Sequence, residues 1–369
     1  MSNKTLFENN SEFPLNKAFL SRIMDIPKHV QILAYKNATN VTVKGSNEFP
    51  VRVGTEVFWL DTDVDLDITA NLDTGSEANG QDYYVYICDD GSDTPVFIIS
   101  ANATAPDATW RTSNSITQYR MIGGFHNSCD GDILQYSVWH LNDMPQVYAK
   151  AIAGDTNCQL GGMVKSKHMN LWYDIYLANT DGQSVYGGTI WDGANNMSAG
   201  LQADLGGATP LNSVYTCTFF NAQEVASARG KRLLSYQEFS DMALGTPEEV
   251  NISGSADPVT TGGHTNTGAT RIQSAIGAED CAGVMWQWGR DISYRSEGGT
   301  AWSWKDQATS GAIGNKGALY TQDTYGIVVV LFGGNWSNGA DCGSRCSNWY
   351  YYPWRAHSFY GVRFACEGI

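Results

Sequence analysis

Short segments in which apolar and polar residues alternate restrict the first third of this chain to β structure. The stretches "FPVRVGTEVFWL", "VDLDITANL", "DYYVYICDDG" and "PVFIISAN" have strand periodicity and are separated by Gly, Asp and Pro turns. The chain has 39 glycines and only 17% charged residues, which favours sheets and ordered loops over helical bundles. We therefore predict a small antiparallel sandwich or barrel over residues 51–118. A separate N-terminal segment, 1–50, is predicted to begin with a short amphipathic helix at Leu15–Met24.

Charge and hydropathy exclude several classes of partner. The formal net charge of −15 repels a phosphate backbone, so we expect no nucleic-acid partner. The sequence has no run of eighteen apolar residues, so we expect no membrane insertion as a helix. The start, "MSNKTLFENNSEFPLNK", has no apolar secretory core, and we expect synthesis in a cytosol.

The eight cysteines and the acidic clusters have ordinary structural interpretations. No C-x-x-C occurs, and we predict that most of the cysteines are reduced and buried. The run Asp61–Asp67 begins like a calcium loop, but Leu66 replaces the required glycine, so a strand is predicted there. A second group of possible ligands is interpreted as hydrogen-bonding loop residues, and no metal or cofactor is predicted; its members are His126, Asp130, Asp132 and His140.

The last 150 residues combine short helices with apolar strands. One helix is predicted over about Ala222–Ala228, and a second begins at Ser235 with Glu238 completing a capping box. The stretches "DCAGVMWQWGRDISYR", "GIVVVLFGGNW" and "GVRFACEG" are predicted strands, the second ending at Gly333–Gly334.

The order of these segments resembles a known domain. Over about 119–369 it is similar to the C-type-lectin-like domain shared by formylglycine-generating enzymes and the variable proteins of diversity-generating retroelements. The ending "GGNWSNGADCGSRCSNWYYYPWRAHSFYGVRFACEGI" resembles a variable region, about 331–369. The segments "IPKHVQILAYKNATNVTVKG" and "MIGGFHNSCDGDILQYSVWHLND" are similar to those of phage tail proteins that determine host tropism. The resemblance implies an α+β chain, with N-terminal all-β domains before a C-type-lectin-like domain.

The aromatic content of the C-terminal segment indicates a binding surface. Residues 331–369 hold ten aromatic residues, about a quarter of the segment against 12% of the chain. Three consecutive residues, Tyr350 to Tyr352, cannot all face one side of a strand, and Pro353 interrupts the alternation further. Tyrosine is a frequent contact residue in binding surfaces because it offers a large area with few torsions to restrict.

The resemblance divides this segment into exposed ligand-contacting positions, which we call tips, and a scaffold that supports them. In the family, copying from a template alters adenines, chiefly in asparagine codons, and cannot produce Trp, Met, Gln, Lys or Glu. The predicted ligand-contacting positions contain none of these types; they are Ser337, Asp341, Tyr350, Tyr351, Tyr352, Arg355, His357, Ser358, Phe359 and Tyr360. The predicted scaffold, in which the tryptophans are expected to be buried, consists of Trp336, Trp349, Trp354, Gly333 and Gly334.

The function that the resemblance implies is receptor binding at the tip of a phage tail fibre. The expected partners are a host cell-surface protein or glycan and the neighbouring tail-fibre or baseplate proteins. The N-terminal segment 1–50 is expected to attach the chain and to form a homotrimer, and the protein is expected in the virion after synthesis in the host cytoplasm.

Two alternatives remain open from the sequence. The first is an oxidoreductase of the formylglycine-generating type that uses Cys342 and Cys346. The chain has no cysteine directly after Gly333–Gly334, where the enzymes have one, which favours a structural role for this pair. The second is a purely structural virion protein.

Overall fold

The structure is a computed structural model that describes residues 30–205, 216–252, 258, 260–262, 271–295, 302–306, 318–322 and 326–369. Only the backbone is described for 46–49, 295, 302–306 and 318–322. The predicted helix at Leu15–Met24 lies outside the described residues. The chain forms two compact units, Met1–Met144 with Ile369, and Pro145–Gly368.

The first unit is a set of antiparallel sheets. Its described strands are β1 Leu33–Asn37, β2 Asn40–Val43, β3 Ser46–Val53, β4 Glu56–Leu60, β5 Val64–Asp67, β6 Asp82–Asp89, β7 Val96–Ser100, β8 Gln118–His126 and β9 Trp139–His140, and helix α1 covers Ala108–Ser113. The strand orders are β1-β2-β5, β3-β4 and β7-β6-β8-β9. Side chains from all three sheets, such as Val41, Phe58 and Ile99, belong to one buried cluster.

This shared core explains where the first unit ends. The sequence placed boundaries after residues 50 and 118, whereas the compact unit continues to Met144. Strand β8 pairs with β6 along its whole length, and its Ile122 and Phe125 are buried in the common core. Alternation within single segments cannot reveal this pairing, because the partner strand lies thirty residues earlier.

The acidic run behaves as predicted. Leu66 and Ile68 are buried, while Asp65 accepts a hydrogen bond from the Thr42 hydroxyl at 2.7 Å. In the second group of polar residues, the His126 Nδ1 lies 2.8 Å from an oxygen of Asp82. Within the described residues, no group of three His, Cys, Asp or Glu side chains is arranged to hold a metal.

The described residues of the second unit form two four-stranded sheets and a hairpin. Its strands are β10 Met163–Lys165, β11 Leu171–Asp174, β12 Arg232–Leu233, β13 Trp286–Arg295, β14 Trp302–Asp306, β15 Ala318–Gln322, β16 Gly326–Phe332, β17 Ser347–Asn348, β18 Tyr360–Gly361 and β19 Phe364–Glu367. Its α-helices are α2 Gln146–Ile152, α3 Ala199–Asp204, α4 Phe219–Ala228 and α5 Tyr236–Met242. The strand orders are β10-β11-β19-β12, β17-β16-β13-β18 and β14-β15, with β18 parallel to β13.

Several local predictions are confirmed in this unit. Helix α5 begins with the predicted capping box, in which Ser235 and Glu238 satisfy each other's backbone N–H groups. Strand β16 is buried and ends before Gly333, as the sequence indicated. Seven of the eight cysteines are buried, and all eight are free thiols.

No helix among the described residues is long and apolar enough to cross a membrane.

Candidate ligand-binding surface

The C-terminal segment leaves strand β16 at two glycines that no other residue could replace without strain. Gly333 and Gly334 have φ angles of +87° and +84°. A Cβ atom at Gly333 would lie 2.8 Å from the Cys281 carbonyl oxygen, and one at Gly334 would lie 2.7 Å from the Cys342 sulfur. Left-handed backbone and close packing together require glycine at both positions.

After this turn, residues 335–346 form what we call the polar loop, which is held from outside by Glu248 to Asn251. The Glu248 carboxylate accepts hydrogen bonds from the Ser344 backbone N–H, at 3.0 Å, and from the Ser344 hydroxyl. The Glu249 N–H donates to the Cys342 carbonyl at 2.9 Å, and the Asn251 amide donates to the Trp336 carbonyl. The loop backbone is therefore ordered by groups that lie well before it in the chain.

Two predicted tips lie on the polar loop. Ser337 and Asp341 are both exposed. Ser337 donates from its backbone and from its hydroxyl to the Asn335 side chain, each at 3.0 Å. These two side chains are placed where a ligand could contact them.

Residues 349–360, the aromatic arm, are held mainly by their own backbone. The carbonyl oxygens of four arm residues accept N–H groups at 3.0 to 3.1 Å from four different segments: Tyr351 from Val329, Pro353 from Phe219, His357 from Gly193, and Phe359 from Trp286. Because these bonds use main-chain atoms, they do not depend on which side chains the arm carries.

The arm side chains contact one another in pairs. The Tyr352 and Trp354 rings are stacked with centroids 4.9 Å apart, and the His357 and Phe359 rings are tilted by 32° with centroids 3.6 Å apart. The Arg355 guanidinium lies 4.9 Å above the Tyr351 ring, a cation–π contact. These contacts restrict the side chains before any ligand binds.

Two predictions about individual residues are wrong. Tyr360, predicted as a tip, is fully buried, because β18 pairs with β13 and directs the ring against Trp288 at a centroid distance of 5.4 Å. Trp349, predicted as a buried scaffold residue, is 40% exposed, and its indole N–H donates to the Ser347 hydroxyl. The other two tryptophans are half-buried; Trp336 packs edge-on against Phe359, and Trp354 lies on Tyr352.

Burial sets the protonation of the reactive groups near this surface. It raises the pKa of the Cys342 thiol to about 11 and that of the Cys346 thiol to about 12. Burial, and next the Arg355 charge, lower the pKa of His357 below its usual value. Both thiols are protonated at neutral pH, and His357 is uncharged there.

A buried arginine holds the far end of the segment. Arg363 is 1% exposed, and its guanidinium donates to the backbone carbonyls of Asp174, at 2.7 Å, and of Ile175 and Glu279. Its Nε donates to the Gln287 side chain at 3.2 Å. The sequence had assigned no role to Arg363, Glu248 or Gly193, because their partners lie far away along the chain.

The paired sheets of the second unit, with a C-terminal segment presented on a hydrogen-bonded frame, have the C-type-lectin-like fold. Residues 31–140 match the family model described as the Mtd second domain. The chain is 29% identical over 365 residues to the tail fiber receptor-binding protein of Bordetella phage BPP-1, an alignment that covers 94% of this chain and 86% of that protein.

Solved structures also resemble this chain over almost its whole length. The Major Tropism Determinant M1 and I1 variants superpose with a TM-score of 0.71 each, at 25% and 26% identity, over 94% of this chain and 85% of theirs. The chain is therefore a homologue of the phage receptor-binding protein and has the Major Tropism Determinant fold. The resemblance and the fold class predicted from the sequence are confirmed.

Proposed function

We propose that this chain is the receptor-binding protein of a phage-type tail fibre and determines which host the phage adsorbs to. It binds a host-surface ligand through the polar loop and the aromatic arm. The contacting residues are Ser337, Asp341, Tyr350, Tyr351, Tyr352, Arg355, His357, Ser358 and Phe359. The observation that carries the proposal is the main-chain attachment of the arm, which supports a surface whose side chains can change without loss of the fold.

The chemistry of this surface suits non-covalent recognition. Tyrosine and arginine are the residues that most often dominate binding energy in interfaces. Here Arg355 is already placed over Tyr351, and Tyr352 is already stacked on Trp354. Side chains ordered before binding lose less conformational entropy when the ligand arrives, so each contact contributes more to affinity.

The similarity to a phage tail fiber receptor-binding protein supports a place for this chain in a virion. We infer that the protein lies at the fibre tip of a virion, contacts other tail-fibre or baseplate proteins, and assembles as a homotrimer through its N-terminal residues. Three copies of one surface would bind a crowded host surface far more tightly than a single copy. Variation by a retroelement would act on the exposed positions of 331–369.

An enzyme of the formylglycine-generating type fits this site less well. Catalysis by thiols requires thiolates, whereas burial keeps Cys342 and Cys346 protonated at neutral pH. The Cys342 sulfur also lies 3.4 Å from the Asn335 carbonyl inside the polar loop, a structural position.

Adsorption measurements test the proposal. The purified full chain, labelled with a fluorophore, is titrated onto intact cells of a host that the phage infects. We expect the triple variant Tyr350→Ala, Tyr351→Ala, Arg355→Ala to bind at least tenfold more weakly. Leu244→Ala, which alters an exposed side chain outside the C-terminal segment, serves as the control. Equal binding by the triple variant and the parent would exclude receptor binding by the arm and favour a purely structural role.

A cysteine variant tests the alternative that the protein is an enzyme. The variant Cys342→Ser, Cys346→Ser should still bind cells, because neither thiol takes part in recognition. Loss of a thiol-dependent turnover in that variant, with cell binding unchanged in the arm variant, would instead favour the enzyme.

A further inference from the structure

The dipeptide Asn-Gly occurs twice in the chain, once in each compact unit, at Asn79–Gly80 and at Asn338–Gly339. An asparagine in this setting can react with its own backbone, because the nitrogen of the next residue can approach the side-chain carbon Cγ. Glycine makes this approach easiest, since it has no side chain to obstruct it. The surroundings of the two pairs therefore decide which of them can react.

In the first pair, both of the groups that would have to move are held by hydrogen bonds. The Gly80 N–H, which would supply the attacking nitrogen, donates to the Ser128 carbonyl at 2.9 Å. The Asn79 side-chain NH2, which would leave, donates to the Cys129 carbonyl at 2.8 Å. Both bonds must break before the reaction can take place, and this raises its barrier.

In the second pair, which lies on the polar loop, neither of these groups is held. Among the residues that the structure describes, no acceptor takes the Gly339 N–H or the Asn338 side-chain NH2. A Cβ atom at Gly339 would meet nothing within 4 Å, so the space beside this residue is open. The attacking nitrogen and the leaving group can therefore move here without losing a partner.

The oxygen of the Asn338 carboxamide is held in a way that favours attack. This oxygen, Oδ1, accepts a hydrogen bond from the Asn335 N–H at 2.8 Å. Negative charge develops on Oδ1 when a nucleophile adds to Cγ, and a donor already placed there stabilises the transition state. The Asn335 N–H thus acts on Asn338 as an oxyanion-hole donor acts on a substrate.

The reaction also requires a rotation of the polar-loop backbone. Asn338 has a φ of −85° and a ψ of −11°, and a change in ψ must bring the Gly339 nitrogen against Cγ. Two turn hydrogen bonds oppose this rotation, from the Asp341 N–H to the Asn338 carbonyl and from the Cys342 N–H to the Gly339 carbonyl, each 3.2 Å long. This length is at the upper end of the normal range, so the rotation breaks only weak bonds.

We propose that Asn338 is a site of spontaneous deamidation and that the folded structure protects Asn79 from the same reaction. The Gly339 nitrogen adds to Cγ of Asn338, and its proton leaves with the side-chain NH2 as ammonia, which closes a five-membered succinimide. Water then opens the ring at either carbonyl and gives aspartate or isoaspartate. One water is consumed and one ammonia is released, with no oxidant or reductant.

The products change the polar loop in two ways. Aspartate adds a negative charge between the exposed Ser337 and Asp341. Isoaspartate adds the same charge and also lengthens the main chain by one methylene, which displaces the residues that follow. The effect on binding rests on the proposed function, because both flanking side chains are assigned to the ligand there. The ligand-binding surface would then change with the age of the protein, without a change in its gene.

The reaction is measured on the full folded chain, which is kept in mildly alkaline buffer and sampled over time. Proteolytic peptides are weighed by mass spectrometry, and isoaspartate is identified by enzymatic methylation. We expect the Asn338 peptide to convert at a rate about tenfold or more above that of the Asn79 peptide, since two hydrogen bonds must break only at Asn79. An unchanged Asn338 peptide, or conversion of Asn79 at an equal or higher rate, would overturn the proposal.

The unfolded chain provides the matched control. In concentrated urea both Asn-Gly pairs lose their surroundings, so Asn79 and Asn338 should convert at similar rates. A difference that persists in urea would assign the selectivity to neighbouring residues in the sequence and would overturn the protective role of the fold at Asn79.

The effect on binding is measured with fresh and aged samples titrated onto intact host cells. Binding by the aged parent should fall in proportion to the fraction of Asn338 converted. Asn338→Gln, whose longer side chain cannot close the five-membered ring, should bind equally well before and after ageing. If Asn338 converts while binding stays constant, the effect on the ligand surface is rejected. The triple arm variant tests the proposed function separately, so its failure and that of the deamidation site can be told apart.

Discussion

The polar loop and the aromatic arm follow each other in one C-terminal segment, yet they are held in different ways. The arm offers its own carbonyl oxygens, such as those of Pro353 and His357, to N–H groups from several segments. The polar loop also makes main-chain bonds to Glu249 and Val284, but in addition it depends on two outside side chains, Glu248 and Asn251. Main-chain attachment survives any change in the arm's side chains, whereas one substitution outside the loop can release the loop.

The arm is also divided within itself. Tyr350 is half exposed, whereas Tyr351 and Phe359 pack against the buried cluster of the second unit. Side chains of the first kind can change at little cost to stability, and those of the second kind contribute to the core. Freedom to vary should therefore differ between neighbouring positions of the arm.

The largest effect should come from Tyr360→Ala, which tests whether this residue is core or tip. Removing a fully buried aromatic ring should lower the free energy of unfolding by about 3–5 kcal/mol. Urea denaturation of the full chain measures this loss. Tyr350→Ala is the control and should change the unfolding free energy by no more than about 0.5 kcal/mol. Equal losses in the two variants would contradict the division between core and tip.

Gly193→Ala should loosen the arm without altering any of its residues. A Cβ atom at Gly193 would lie 2.3 Å from the His357 carbonyl carbon, so the arm backbone must move away. We expect a loss of about 1–3 kcal/mol in unfolding free energy, together with faster amide exchange in the arm. Gly200→Ala provides the matched control, since the nearest atom, the Ser198 hydroxyl oxygen, is 3.8 Å away and helix α3 favours alanine. A stable Gly193→Ala variant with slow exchange in the arm would show that this contact is dispensable.

Glu248→Gln should act on the polar loop alone. The substitution removes the charge from the acceptor of the Ser344 N–H and hydroxyl, at a cost of about 1 kcal/mol. Amide exchange at Ser344 should become faster while exchange in the arm stays the same. Glu249→Gln, at an exposed neighbour, is the control. Faster exchange in both parts would mean that loop and arm are one cooperative element.

The smallest effect should be a gain. Glu249 has a φ of +59°, a conformation that costs a side chain more than it costs glycine. Glu249→Gly should therefore raise the thermal midpoint slightly, by an amount equivalent to at most about 1 kcal/mol. A lower midpoint would indicate that the side chain has a stabilising contact.

Features encoded by neighbouring residues could be predicted from the sequence, and those created by distant pairing could not. The capping box at Ser235 and the end of β16 at Gly333 depend on a few adjacent residues. Tyr360 was misassigned because it is buried by pairing with β13, a strand far from it in the sequence. Trp349 was misassigned because it directly follows β17, whose position is set by the equally distant pairing with β16. The same reason hides the role of Glu248, whose partner Ser344 lies 96 residues later in the chain.

The attachment of both ends of the C-terminal segment has a practical consequence for protein engineering. Gly333 determines the direction in which the chain leaves β16, and Arg363 holds the chain again where it enters β19. The residues between them can be treated as a replaceable cassette whose ends keep their positions when the contents change. A combinatorial library restricted to the exposed positions of that cassette, with the backbone partners left intact, would turn this chain into a source of new binders.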